Sequence, residues 1–515
     1  MLNLASILEI SARDHKDNTA FIFADKEYSF DQINKAANQV ANGLVSLGIA
    51  KGDKVAISCF NLPYFPIIYF GILKAGAVVV PLSVLLKSDE IEYHLKNSEA
   101  KAYFCFHGTE ELPMAKMGSA GFEKVVGCEH FITIMPTPDI PSSVPGCKTF
   151  GELVANQSPE FDIAVTETDD TAVIVYTSGT TGFPKGAELS HSNLIMNAIA
   201  CKDLFGSNAG DTQLVVLPLF HIFAMTVLMN TGVMTGACSV LLPRFDAKDV
   251  LGLLQKHEVS VFAGVPTMYW GLAAYDGNEF DLDAIAKNLR MSISGGASLP
   301  VQVLNDFEAK FNVPILEGYG MSEGSPVVTF NKSEKERKPG SIGLPIWGVE
   351  VKLVDADGAE VPVGEKGELW YRGHNVMKGY YNNPEATADT ITDGWLHSGD
   401  IAIKDEEGFF FIVDRTKDMI IRGGLNVYPR EVEEVIMKHD AVSLVAVIGI
   451  EDEKMGEEIK AFVVLKDGHQ ANSEEIMSYA KEKLAAYKYP RVVEFLDALP
   501  MSATGKILKK ELRKV

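Results

Sequence analysis

Short apolar runs alternate with amphipathic stretches through the first part of the chain. Ser29 and Gln32 hold the spacing of a capping box, and behind them Ile33, Ala37, Val40, Leu44 and Leu47 recur at helical intervals before Gly48. The spacing predicts an amphipathic helix. After the turn at 51–53, residues 55–60 read as a short apolar strand, followed by a second helical stretch and a β-rich run at 77–81. The same succession returns at 172–176, 212–217, 259–263 and 291–294, each run ending in a loop marked by Gly, Pro or Ser. Strands alternating with helices imply parallel or mixed sheets covered on both faces, so the expected fold class is α/β.

The pattern changes near residue 340. Strands are expected at 349–354, 367–371, 401–403 and 409–413, separated by Asp-Gly or Glu-Gly turns, which makes a β-rich subdomain of about 340–413. The last stretch reads as helix (429–439), two strands (443–448 and 459–464), helix (473–484) and a Lys/Arg-rich tail. A compact α+β domain fits, beginning around the turn at 414–418. No internal repeat is evident.

Composition narrows the class. The chain has 515 residues, 47 % hydrophobic and 23 % charged, as expected of a globular protein of several units. Its 47 Lys and Arg against 69 Asp and Glu leave a net charge of −22, a field that repels phosphate backbones, so nucleic acid is not expected as a partner. The six cysteines, at 59, 105, 128, 147, 201 and 238, form no CxxC pair, which points away from zinc and disulfides and towards a reducing, cytoplasmic setting. Residues 1–15 carry Glu9 inside their apolar stretch and no basic lead-in, unlike a secretory signal. Two uncharged stretches, 55–73 and 212–243, contain prolines, asparagines and His221, so they read as buried core rather than as membrane spans.

The densest chemical signal is YTSGTTGFPKG at 176–186, directly after an apolar strand. Five hydroxyl side chains and three glycines in eleven residues pack poorly but wrap an anion well, because small residues let backbone N–H groups approach phosphate oxygens while Lys185 adds charge. The segment is not a Walker A loop, since Phe-Pro separates Gly182 from the lysine.

Together with GYGMSEGSP (318–326), WLHSGD (395–400), DRTKDMIIRGGLNVYPREVEE (414–434) and SATGKILKKELR (502–513), this segment resembles the core motifs of the ATP-dependent adenylate-forming enzymes. That superfamily holds acyl-CoA synthetases, aryl-CoA ligases, luciferases and peptide-synthetase adenylation domains. The motifs stand in the family's order over nearly the whole chain. The resemblance implies a large N-terminal domain (1–416) with two mixed α/β sheets plus the β-rich subdomain, and a small mobile C-terminal domain (417–515).

It also implies roles. Thr177, Ser178, Gly179, Thr180, Thr181, Gly182 and Lys185 would surround the phosphates of ATP, with Thr181 taking part in catalysis. Gly318, Tyr319 and Gly320 would place an aromatic ring against the adenine from a loop after the strand, with Gly296 and Ala297 as a wall beneath it. Ser322, where the family usually has threonine, would reach the α-phosphate, and Glu323 would hold magnesium. Asp400, held at a loop, and Arg415 would bind the ribose, and Asn426 would reach the nucleotide. Lys506 is implied as the adenylation lysine that bridges the incoming carboxylate and the α-phosphate. Lys417 is implied as the hinge, Gly423 and Gly424 as the floor for pantetheine, and Arg244 as a contact for a CoA phosphate. His221 would stand beside the substrate carboxylate, with Phe223, Val227, Val265 and Met268 as an apolar acyl wall.

The activity so implied is that of an acid–CoA ligase using ATP, Mg and CoA. Ser-Pro at 325–326 and GGLNVYPREVEE favour a medium- or long-chain fatty acid. An aryl-CoA ligase, or an adenylation enzyme loading a separate carrier protein, is the alternative. The expected partners are small molecules, with neither nucleic acid nor an integral membrane segment, and a homodimer is compatible with the sequence.

Overall fold

The computed structural model describes residues 2–177, 183–332, 337–415 and 417–514. Among these, four sheets carry the fold. One has eight strands in the order Gly379–Tyr380, Lys185–Ser190, Thr171–Thr177, Val78–Pro81, Lys54–Ser58, Ala100–Phe106, His130–Ile134 and Lys148–Thr149. Its centre is parallel, and the hairpin of Thr171–Thr177 with Lys185–Ser190 is antiparallel. The second has nine strands, with a parallel run from Thr19–Phe23 through Cys238–Leu241, Thr212–Val215, Val261–Gly264 and Met291–Ser294 to Ile315–Gly320. Helices cover both sheets and the core lies between, as mixed α/β layers require.

The amphipathic helix expected behind Ser29 runs over Phe30–Ser46. Its capping box is closed in both directions: Gln32 N–H donates to Ser29 Oγ at 3.3 Å, and Ser29 N–H to Gln32 Oε1 at 2.9 Å. The uncharged stretch 212–243 divides into strand Thr212–Val215, a π-helix Phe223–Asn230, a short helix Thr231–Thr235 and strand Cys238–Leu241. Residues 55–73 divide likewise into strand Lys54–Ser58 and the buried helix Tyr64–Lys74. Among the described residues no helix is long and apolar enough to cross a membrane.

The β-rich subdomain is a five-stranded antiparallel sheet of Val349–Val354, Lys366–Gly373, Trp395–Lys404 and Ile391–Thr392, with Phe410–Arg415 paired to Trp395–Lys404. The C-terminal sheet pairs Leu425–Val427, Ile420–Arg422, Gly456–Leu465 and Val442–Asp452. It also has a strand the sequence pattern did not reveal, Val492–Phe495, parallel to Gly456–Leu465. Two residues expected on loops sit on strands instead. Tyr319 belongs to Ile315–Gly320, where it pairs with Thr329, and Asp400 belongs to Trp395–Lys404, where it pairs with Arg415. In both cases neighbouring glycines are accommodated inside a ladder with a register shift rather than ending it.

Candidate active site

Three chain segments far apart in sequence converge at the ends of these strands. Tyr319 OH donates to Asp400 Oδ2, and Arg415 Nε stands 3.2 Å from Asp400 Oδ1, so the carboxylate is held on both oxygens. Asp400 is buried while Arg415 keeps half its side chain exposed. The carboxylate beside it raises the Arg415 pKa further. Burial and the adjacent Asp400 carboxylate raise Tyr319 well above the ordinary tyrosine value, so its hydroxyl remains a donor.

Glu323 lies in the short turn Ser322–Gly324, 6 % exposed, and its Oε1 accepts from Tyr380 OH at 2.7 Å. Burial raises its pKa, opposed by the Tyr380 bond and by the positive charges of Lys185 and Arg415. Lys185 stands 4.9 Å above the Tyr380 ring, on the strand that pairs with Gly379–Tyr380. One buried carboxylate with a hard oxygen suits a magnesium ion whose remaining ligands are substrate phosphates and water. Among the described residues no cluster of three or more His, Cys, Asp or Glu side chains could hold a metal unaided.

Lys506 reaches this place from the far end of the chain. A Cβ added to Gly296 would come within 3.2 Å of Lys506 Cε. Burial pushes the Lys506 pKa down to about 8, helped by Arg415 and opposed by Asp400 and Glu323. Gly505 has φ +75°, and a Cβ there would approach Thr267 Oγ1 and Val265 Cγ2 to 2.9 Å, so only glycine lets the turn enter. His221 is pushed down to about 3 by burial and by the Lys506 charge, so the ring is neutral. Its Nδ1 accepts the Phe223 N–H at 3.3 Å, which leaves the proton on Nε2.

Phe223, at the start of the π-helix, packs its ring 3.3 Å from where a Gly295 Cβ would sit. Val265 Cγ1 lies 3.6 Å from the corresponding position on Gly296. Val227, on the same π-helix as Phe223, and Met268, three residues after Val265, are buried. The glycine wall, the lysine and this apolar group thus adjoin.

Other candidates are placed differently. Ser178, Gly179, Thr180, Thr181 and Gly182 lie outside the described residues, and Thr177 and Lys185 face each other across the hairpin that carries them. Ala297 is exposed, and Ser322 sits half-buried in the turn beside Glu323. Gly423 and Gly424 form the tip of the hairpin Ile420–Arg422/Leu425–Val427, where Asn426 is exposed. Among the described residues no hydrogen bond links Asn426 to Tyr319 or Asp400. Arg244 lies over the Phe60 ring at 5.7 Å. Lys417 is largely exposed, its pKa lowered by partial desolvation and by Arg415.

Two residues of the site escaped the sequence pattern. Tyr380 meets Glu323 across 57 residues. Glu317 is fully shielded, with its pKa raised to about 7 by burial against the pull of Arg430, and its Oε1 accepts the Leu299 N–H at 3.0 Å, bracing the loop that carries Gly296. A Glu two positions before the tyrosine was the available signal, but nothing local marks it as buried.

Residues 8–381 match the AMP-binding enzyme family, and residues 431–506 match the AMP-binding enzyme C-terminal domain. A long-chain-fatty-acid–CoA ligase of Bacillus subtilis is 36 % identical, over 99 % of this chain and 94 % of its own length. A feruloyl-CoA synthase of Amycolatopsis is also 36 % identical, over 98 % and 97 %. The crystal structure of the anthranilate CoA ligase AuaEII with anthranoyl-AMP superposes with a TM-score of 0.92 at 31 % identity, covering 99 % of this chain and 96 % of that one. With both parts of the family pattern in place and the five motifs gathered on one fold, the chain belongs to the AMP-binding enzymes of the adenylate-forming superfamily.

Proposed function

We propose that the protein is an AMP-forming acid–CoA ligase. The placement of Lys506 carries the reading: a lysine nine residues from the last position of the chain stands against Gly296, near Arg415, Asp400 and Glu323. In this scheme Tyr319, Asp400 and Arg415 hold the adenosine, while Thr177, Lys185, Ser322 and the segment 178–182 hold the phosphates. Glu323, oriented by Tyr380, would hold magnesium, which would neutralise phosphate charge when bound.

A carboxylate oxygen of the acid attacks the α-phosphorus of ATP, the bond to the bridging oxygen breaks, and pyrophosphate leaves. The Lys506 ammonium lies between the two anions and stabilises the charge of the transition state, a contribution typically worth about a hundredfold to a thousandfold in rate. His221 presents its Nε2 proton to the substrate carboxylate. In the second step the CoA sulfur attacks the acyl carbonyl, the bond to the phosphate oxygen breaks, and AMP leaves with the thiol proton released to solvent. For that step the C-terminal domain (417–515) turns about Lys417, which brings Gly423, Gly424 and Asn426 to the site, with Arg244 on a CoA phosphate.

Phe223, Val227, Val265 and Met268 give the acyl group an apolar wall, which suits a medium- or long-chain fatty acid and accords with the Bacillus relative. The feruloyl-CoA synthase and the anthranilate CoA ligase favour an aromatic acid against the same wall as the second reading. Pyrophosphate release with ATP across fatty acids of graded length and hydroxycinnamic acids, with and without CoA, separates them. Release with fatty acids and CoA thioester formation is the expected result. Release only with aromatic acids supports the second reading, and thioester formation only on an added carrier protein overturns the CoA-ligase reading.

A further inference from the structure

Helix Pro266–Ala274, with Val265 as its N-cap, faces two ways. Val265 and Met268, three residues apart, belong to the apolar wall described above. Thr267 and Trp270, again three apart and so on one side of the helix, turn to the C-terminal domain. Thr267 Oγ1 donates to the Gly505 carbonyl at 2.8 Å, and Trp270 Nε1 donates to Ser443 Oγ at 3.1 Å. The Trp270 indole also packs on an apolar cluster formed by Leu444, Ala446, Ile448, Phe462, Leu499 and Leu512. Among the described residues of that cluster and its surround, Trp270 alone comes from before residue 440.

The turn that carries Lys506 is otherwise bonded to itself. Ser502 N–H donates to the Lys506 carbonyl at 2.8 Å, Lys506 N–H to Ser502 Oγ at 3.1 Å, and Gly505 N–H to the Ser502 carbonyl at 2.9 Å. Residues 501–507 therefore move as one piece, and the hydrogen bond that leaves the piece, among the described residues, is the one from Thr267.

We propose that Trp270 and Thr267 are positioning residues for acyl-adenylate formation, holding the C-terminal domain and its turn so that Lys506 reaches Gly296. This rests on the ligase reading above. Trp270 anchors the domain by packing against its apolar cluster and bonding to Ser443, and Thr267 sets the turn. Because Val265 and Met268 share the helix, one rigid element fixes both the wall of the acyl pocket and the depth to which the lysine enters. Trp270 touches no reacting atom, and its effect passes through the domain it holds.

The test separates the half-reactions in Trp270→Ala, Trp270→Phe and Thr267→Val. Displacing a catalytic group by about 1 Å can cost on the order of a hundredfold in rate. Pyrophosphate release by Trp270→Ala should fall by about that factor, while thioester formation from supplied acyl-adenylate and CoA stays within about twofold of wild type. Trp270→Phe, which keeps an apolar ring against the cluster and loses one neutral hydrogen bond, should recover all but about tenfold of the loss. Equal loss of both half-reactions, or no loss in either, overturns the proposal. A readout free of any acid accompanies it: limited trypsin cleavage at Arg415 and Lys417 should quicken in Trp270→Ala at an unchanged unfolding temperature. Unchanged cleavage overturns the docking role. Faster cleavage in a protein whose wild type releases no pyrophosphate with any acid sinks the ligase reading and leaves the docking role standing.

Discussion

The side of the candidate site proposed to hold the nucleotide and the side that carries Lys506 are held in different ways. On the first, Tyr319 and Arg415 hold Asp400 and Tyr380 holds Glu323, with four of the five on strands whose registers are fixed by their neighbours and Glu323 on the turn Ser322–Gly324. On the second, the Lys506 ammonium has no carboxylate within 4.0 Å among the described residues, and its turn is tied to the rest by few bonds. Lys74 offers a further contrast: it is fully buried but bonded to Glu9 and Asn34, as a structural lysine must be. A preformed cradle beside a delivered charge is what a reaction with two anionic reactants needs. The cradle costs no reorganisation, and the charge finds its counter-ions only when the substrates are in place.

The contrast can be broken most sharply at the delivered end. Lys506→Ala should reduce pyrophosphate release by about a hundredfold to a thousandfold while leaving thioester formation from supplied acyl-adenylate largely intact. Equal loss in both assays would place the lysine in the scaffold. At the preformed end, Tyr380→Phe removes the hydroxyl that orients Glu323, and losing such a partner typically costs about 10–100-fold in metal affinity. Titration of activity with magnesium should show the loss as a raised requirement, recoverable at high magnesium. A fall in maximal rate with an unchanged requirement would separate Glu323 from the metal.

Beside the two regions stand the residues proposed as the acyl wall. Val227 is buried on the π-helix one turn beyond Phe223, and Val227→Phe adds a ring to a packed wall at a cost of about 1–3 kcal/mol. Activity should shift towards shorter acids, read as kcat/KM across a chain-length series, with the KM for ATP unchanged. A uniform drop at all lengths would mean that Val227 packs the scaffold.

The smallest expected effect is on pH. In its proposed role the lysine acts as a cation, and with its pKa lowered to about 8 that form is lost as pH rises through 8, well before an ordinary lysine would titrate. Pyrophosphate release should therefore be about halved near pH 8 relative to its plateau below, with His221, pushed down to about 3, contributing no step in this range. A rate that holds until the ordinary lysine range would show that substrates restore the charge.

Much of the fold and of the site is legible in the amino-acid sequence. The capping box at Ser29 and Gln32 and the strand at Met291–Ser294 follow from local pattern, because a cap and a buried parallel strand are determined by neighbours in sequence. Tyr319 and Asp400 are legible as candidates, and the structure bonds them to each other, but their places on strands are not legible. Gly320 looks like a loop signal, yet a Cβ there would strike the Pro326 carbonyl at 2.0 Å, so the glycine exists to let the next strand pass. Tyr380 and Trp270 leave no local trace and nothing local marks Glu317 as buried, since each acquires its meaning from a partner removed along the chain.

The π-helix Phe223–Asn230 has one further consequence, for how this pocket can change over generations. A helix bonded five residues apart holds one residue more per stretch than an α-helix requires, so it can shed that residue by tightening instead of breaking. Deleting a single position between 224 and 229 should therefore tighten the segment towards α-helical pitch while the helix Thr231–Thr235 stays in phase with His221 and Phe223. The segment can thus lose a residue without breaking, a tolerance that an α-helix in the same place would lack.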